Sequence, residues 1–136
     1  METVHIEYIG GLRTNSKHLR SGDTFITDAP VDNQGKGEAF SPTDLLATSL
    51  GTCSITTIAI AGNAKGFSVD GTEVKVTKIM ASDPRRVSEV IVEMNFPDHS
   101  YSEKEKEIIR HAAKFCPVSR SLHPELLQTF IFNFQE

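Results

Sequence analysis

Apolar and polar side chains alternate at the start of the chain. Val4, Ile6 and Tyr8 fall on one face and His5 and Glu7 on the other, which is the period of a β-strand. Gly10-Gly11 ends that pattern. FITDAP, after the turn formers Ser21-Gly22-Asp23, predicts a second strand, and the two together suggest a hairpin. VDNQGKGEAF reads as a polar loop. The character then changes: from Leu45 to Ala64 no residue carries a charge. Ser41 is a good N-cap, Pro42 suits the first helical position, and Asp44 stands three after the cap in a variant of the capping box. These signals predict a helix from Pro42 to about Lys65, stopped by Gly66. Its length approaches that of a membrane span. However, Thr48, Ser49, Gly51, Thr52, Ser54, Thr56, Thr57 and Gly62 dilute its aliphatic residues, and it has no Trp or Tyr anchors. A core helix buried on most sides is the expectation.

The second half alternates again. TEVKVTKIMA and RVSEVIVEMNFP, separated by SDPR, give the strongest hairpin signal in the chain. Val74, Val76 and Ile79 are expected to face the core, opposite Val90, Val92 and Met94. SEKEKEIIRHAAKF predicts a second helix, with Ser102 and Glu105 as a capping box. Ile108, Ile109, Ala112 and Phe115 form its apolar stripe, and EKEKE its solvated face. Cys116-Pro117 reads as the cap and first residue of a further short helix, and TFIFNF as a closing strand. Strands and helices come in groups rather than in alternation. That order predicts an α+β fold, organised as one domain over residues 1–136.

Composition narrows the function. The net charge of −4 and the pI of about 5.7 disfavour nucleic acid and anionic membranes as partners. METVHIEYIGG has neither the basic nor the apolar region of a signal peptide, which points to the cytoplasm. Five histidines and two cysteines show no metal-ligand spacing, so no metal or cofactor is expected. The two thiols remain. Cys53 lies mid-helix, where a free cysteine either packs or, given a nearby cation, reacts. Cys116, at a helix start with unpaired backbone N–H groups, is locally the easier thiolate.

SPTDLLATSLGTC followed by FCPVSRSL resembles the OsmC/Ohr family of osmotically inducible and organic hydroperoxide resistance proteins. The specific part is a proline eleven residues before a helical cysteine, joined to a late Cys-Pro-x-Ser. The resemblance implies an intertwined homodimer, with long central helices wrapped by mainly antiparallel sheets. It implies a thiol peroxidase: Cys53 attacks an organic hydroperoxide and becomes a sulfenic acid, Cys116 resolves it as a disulfide, and a dithiol reductant of the lipoyl type restores both thiols. It also implies an arginine and an acid in the site. Arg13 in GGLRT matches the arginine one residue displaced, with Arg20 in reserve. The acid that follows the motif's proline is Thr43 here, and Asp44 comes one later. The rival reading is a non-catalytic dimer that binds a small apolar or sulfur-containing molecule, with Cys53 as packing.

Overall fold

The computed structural model describes residues 1–135, which form two compact units, Met1–Leu46 and residues 47–135. The first is a three-stranded antiparallel sheet of β1 (Val4–Gly10), β2 (Arg13–His18) and β3 (Thr24–Asp28) in that order. Strand β2 corrects the expected hairpin, since it stands between the two strands read from the sequence and pairs with both. Its residues, RTNSKH, contain no apolar alternation, and pairing on both edges holds them extended instead. Gly10, Gly11 and Leu12 all take positive φ (89°, 64° and 63°) in the β1–β2 turn, a conformation that costs glycine little. No apolar side chain of this unit is buried; its buried residues are Ser16, Thr27, Asp28 and Ser41. Val4, Ile6, Tyr8 and Phe25 are exposed although their strands formed.

Helix α1 (Pro42–Lys65) begins and ends where the cap signals put it. Ser41 Oγ accepts from the Asp44 N–H at 3.0 Å, and Asp44 Oδ2 accepts from the Ser41 N–H at 2.9 Å. At the other end Gly66 takes φ 85°, and the Phe67 N–H reaches back to the Gly62 carbonyl at 2.9 Å, the long bond of a Schellman cap.

The second unit continues with β4 (Glu73–Ala81), β5 (Arg86–Asn95), α2 (Glu103–Ala113), α3 (Pro117–Ser121) and β6 (Leu127–Asn133). β4 and β5 form the expected antiparallel hairpin, and β6 joins β5 in parallel. The architecture is α+β. Val90, Val92 and Met94 are fully buried on β5, and one stripe of α1 (Ala47, Leu50, Gly51, Ser54, Ile58, Gly62) is buried at helical spacing. Glycine sets two close approaches. A Cβ on Gly51 would lie 2.7 Å from Val76 Cγ2, and one on Gly62 would lie 2.7 Å from the Phe67 carbonyl oxygen.

Four expectations need correction. α1 is not buried on most sides within the chain: Thr52, Thr56, Ile60 and Asn63 are exposed on the face away from the stripe. It is long and apolar enough to span a membrane, with a mean hydropathy of 1.5, and 33% of that apolar window is buried in the chain. Val76 and Ile79 are more exposed than core residues, at 36% and 38%. Val76 meets α1 at Gly51 and lines an open groove there, and a register shift follows Ile79. Phe115 lies past the end of α2 and is exposed, held between His111 and the Arg120 guanidinium. Lys106 of EKEKE is buried rather than solvated, because its stem crosses the apolar face and its ammonium sits 5.2 Å from the Phe134 ring centroid.

Gly62→Ala tests the close approach. Helix propensity alone favours alanine by about 1 kcal/mol. The backbone contact reverses that sign, and we expect a net loss of about 1–3 kcal/mol, as for an overpacked core. Urea unfolding measures it, and a stabilised variant would refute the packing argument.

Candidate functional site

Cys53 lies on α1 beside the buried stripe. It is half-buried, and its side chain packs on the edge of the core that Leu50 and Ile58 belong to. Cys116 is fully buried. It is the N-cap of α3, with extended backbone (φ −72°, ψ 147°) and Pro117 next. Its Sγ accepts from the Ser119 N–H at 3.3 Å. Both cysteines are free thiols; Cys53 packs against the core cluster to which Cys116 belongs, close enough to raise the Cys116 pKa.

The cap position, from which Cys116 was expected to be the easier thiolate, does not lower its pKa. Burial pushes its thiol above the ordinary cysteine range. The Ser119 and Val118 N–H groups pull the other way, while the hydrogen bond and charge of Cys53 add to the rise. The cap geometry was read correctly. The cost of charging a sulfur with no access to water outweighs what the cap returns. Sequence reasoning also missed the grip on that cap. Ser119 Oγ donates to Gln128 Oε1, and Gln128 Nε2 donates to the Ser119 carbonyl at 2.9 Å.

In the first unit, Arg13 opens β2 and is paired across strands with Asp28 of β3. Its Nη2 contacts Asp28 Oδ2 at 3.3 Å and is also bonded to Glu38. Asp28 is fully buried, and the Glu38 backbone N–H donates to the same Oδ2 at 3.0 Å. That N–H, with Arg13 and Lys36, holds the Asp28 carboxyl below the usual carboxylate range against the opposing effect of burial. Arg13 Nε and Asp28 Oδ1 are buried without a hydrogen-bond partner among the described residues. Arg20 is exposed in the β2–β3 turn. Asp44 caps α1, as described. Neither Asp28 nor Glu38 was singled out in the sequence. Asp28 lies in a run read only as a strand, and Glu38 in a run read only as a loop. The signal that could have found them is the β2–β3 register, which requires recognising β2. Among the described residues no group of three or more His, Cys, Asp or Glu side chains could hold a metal ion.

Comparison with known proteins gives a consistent picture. The family described as OsmC-like protein matches residues 35–128. A crystal structure from Psychrobacter arcticus 273-4, of a protein assigned provisionally to osmotic stress induction and detoxification response, is 50% identical. The alignment covers 98% of this chain and 96% of that one, with a TM-score of 0.93. The organic hydroperoxide resistance protein OsmC of Legionella pneumophila shares the fold at 16% identity, with 98% of each chain covered and a TM-score of 0.77. An organic hydroperoxide resistance protein of Elizabethkingia anophelis does so at 17% identity, with 99% and 98% covered and a TM-score of 0.71. A search of curated proteins found no match.

The raised Cys116 pKa has a sign that can be checked. Above about pH 8.5, where an unfolded cysteine loses its proton, the native chain still holds the proton on Cys116. The unfolded state then binds fewer protons, so stability falls as pH rises through that window and is unaffected below it. Denaturant unfolding from pH 7 to 10 should show this decline, and Cys116→Ser should lessen it. A decline of equal size in the variant would count against burial as the cause.

Proposed function

Because the chain belongs to the OsmC-like protein family, we propose that it is a thiol peroxidase that reduces organic hydroperoxides through Cys53 and Cys116. The observation that carries this reading is the proximity of the two thiols in one packed cluster, one half-buried and one fully buried. In the first step the Cys53 thiolate attacks a peroxide oxygen. The O–O bond breaks, an alcohol leaves with a proton, and Cys53 becomes a sulfenic acid. Cys116 then attacks that sulfur, the S–S bond forms, and the S–O bond breaks with loss of water. A dithiol of the lipoyl type returns both thiols to the reduced state. By the family's pattern Arg13 supplies the positive charge that a thiolate needs, and Asp44 acts by fixing the first turn of α1.

The working form is an intertwined homodimer located in the cytoplasm, with each whole chain acting as one domain. Two observations support the dimer. The first unit buries no apolar side chain of its own, and a three-stranded sheet needs an apolar face covered to be stable. α1 leaves Ile60 64% exposed on its uncharged open face. Static light scattering should return twice the 15.0 kDa chain mass; a folded monomer at micromolar concentration would overturn this part.

A second reading rests on a groove of about 420 Å³ between α1 and β4, lined by uncharged side chains that include Thr48, Thr52, Ile55, Thr72 and Val74. Such a groove suits a small apolar or sulfur-containing molecule in a non-catalytic dimer. One experiment separates the two. Stoichiometric cumene hydroperoxide should convert both thiols to a single intrachain disulfide, read by mass spectrometry. Cys116→Ser should complete the first oxidation and then accumulate sulfinic acid at Cys53. Arg13→Ala should slow that oxidation at pH 7 by at least about tenfold, the equivalent of one pKa unit. Unchanged thiols in the parent chain would favour the binding protein.

A further inference from the structure

Helix α3 has five residues, too few to hold its own shape, because the first turn of any helix costs more order than it gains in hydrogen bonds. Yet this turn carries the N–H that faces Cys116. What holds it is the sheet. Gln128 stands on β6, in parallel register with fully buried Val90 of β5. Its side-chain amide spans Ser119, taking the hydroxyl proton at Oε1 and giving an N–H to the carbonyl from Nε2. One amide uses both its acceptor and its donor on a single residue, and exchanging the oxygen and nitrogen would lose the bond to the carbonyl, which can only accept. A hydrogen-bonded chain therefore runs from the sheet through Gln128 and Ser119 to the Cys116 sulfur.

From this chain we infer that Gln128 is a positioning residue: it fixes the Ser119 N–H on the Cys116 sulfur and so sets how readily that buried thiol gives up its proton. The inference rests on the peroxidase reading for its consequence. In the resolving step the Cys116 sulfur must develop negative charge while it attacks the Cys53 sulfenic acid. Its proton joins the departing hydroxide as water. The sulfur is fully buried, so no solvent stabilises that charge, and burial works against it. Backbone N–H groups can compensate only if they are already aimed, since a donor that must reorganise gives back much of its benefit. Gln128 does the aiming from outside the turn. Neither Gln128 nor Ser119 need touch the peroxide.

The test uses the full chain. In a Cys53→Ser background, where Cys116 is the one remaining thiol, the pH midpoint of its ionisation is read from the ultraviolet absorbance of the thiolate, with and without Gln128→Leu. We expect the midpoint to rise by at least about half a pH unit, a threefold change in ionisation. In the chain with both cysteines, Gln128→Leu should slow disulfide formation at least threefold after peroxide is added. The first oxidation of Cys53 should keep its rate, and more of Cys53 should end as sulfinic acid. Gln128→Glu keeps an acceptor for the Ser119 hydroxyl but sets a carboxylate against its carbonyl, and should move the midpoint in the same direction. It also stands in if Gln128→Leu lacks a cooperative unfolding transition. An unmoved midpoint in a cooperatively folded variant overturns the inference. A moved midpoint in a chain whose parent forms no disulfide with peroxide overturns the peroxidase reading and leaves the positioning role intact.

Discussion

An uncharged helix meets its neighbours at a distance that only a hydrogen atom permits, and the second unit is built around that contact. At Gly51 the backbone of α1 lies against Val76, and at Gly62 it lies against the carbonyl of Phe67. A side chain at either place would have to displace something. With the helix fixed on that face, its remaining positions follow from 3.6 residues per turn. Leu50 and Ser54 are buried, and Cys53, next to Ser54 but rotated off the stripe, falls at the border between core and open surface. That border suits a reactive thiol: a sulfur sealed in the core resists ionising, and one in open water has no neighbour to hold it. Cys116 supplies the other half of the contrast, since it is on the closed side and keeps its proton.

Charge is arranged quite differently in the first unit. Arg13, the arginine selected by the family's pattern, is already paired with two carboxylates. Asp28 is buried and fixed by a backbone N–H, whereas the Glu38 side chain is 62% exposed. The two partners are therefore unequal. Removing a buried carboxylate leaves a charge uncompensated and is costly, whereas an exposed ion pair contributes little. The cross-strand register that pairs Arg13 with Asp28 thus does more to hold the guanidinium than the contact with Glu38.

The sequence revealed most where local chemistry decides the outcome. Ser41, Pro42 and Gly66 bounded α1, Ser102 and Glu105 began α2, and Cys116-Pro117 began α3, because caps act through neighbours three residues away. It was least informative where tertiary partners decide. RTNSKH has no strand pattern and becomes a strand because two neighbours pair with it. Lys106 looks solvated in a run of charges, and only the position of Phe134 explains its burial. The two candidate thiols were visible as a motif. The raised pKa of Cys116 was not, because the local advantage of a cap position says nothing about how much water reaches the sulfur. Gln128 has no motif at all; it becomes legible only when β6 is seen beside the turn that holds Ser119.

The parallel pairing of β5 with β6 bears on how such a chain can change over evolutionary time. Antiparallel β4 and β5 meet through a tight turn that can be lengthened or trimmed with little effect elsewhere. Parallel strands cannot be joined that way and need a long crossover, here the stretch that carries α2 and α3. Cys116 lies in this connection, which the sheet requires whether or not any redox chemistry takes place. The second sulfur can therefore be lost through a single codon change, but not by shortening the chain, because a deletion there would remove the last strand's way back to the sheet. A lineage that abandoned the chemistry would be expected to keep the whole connection and show another residue where the thiol had been.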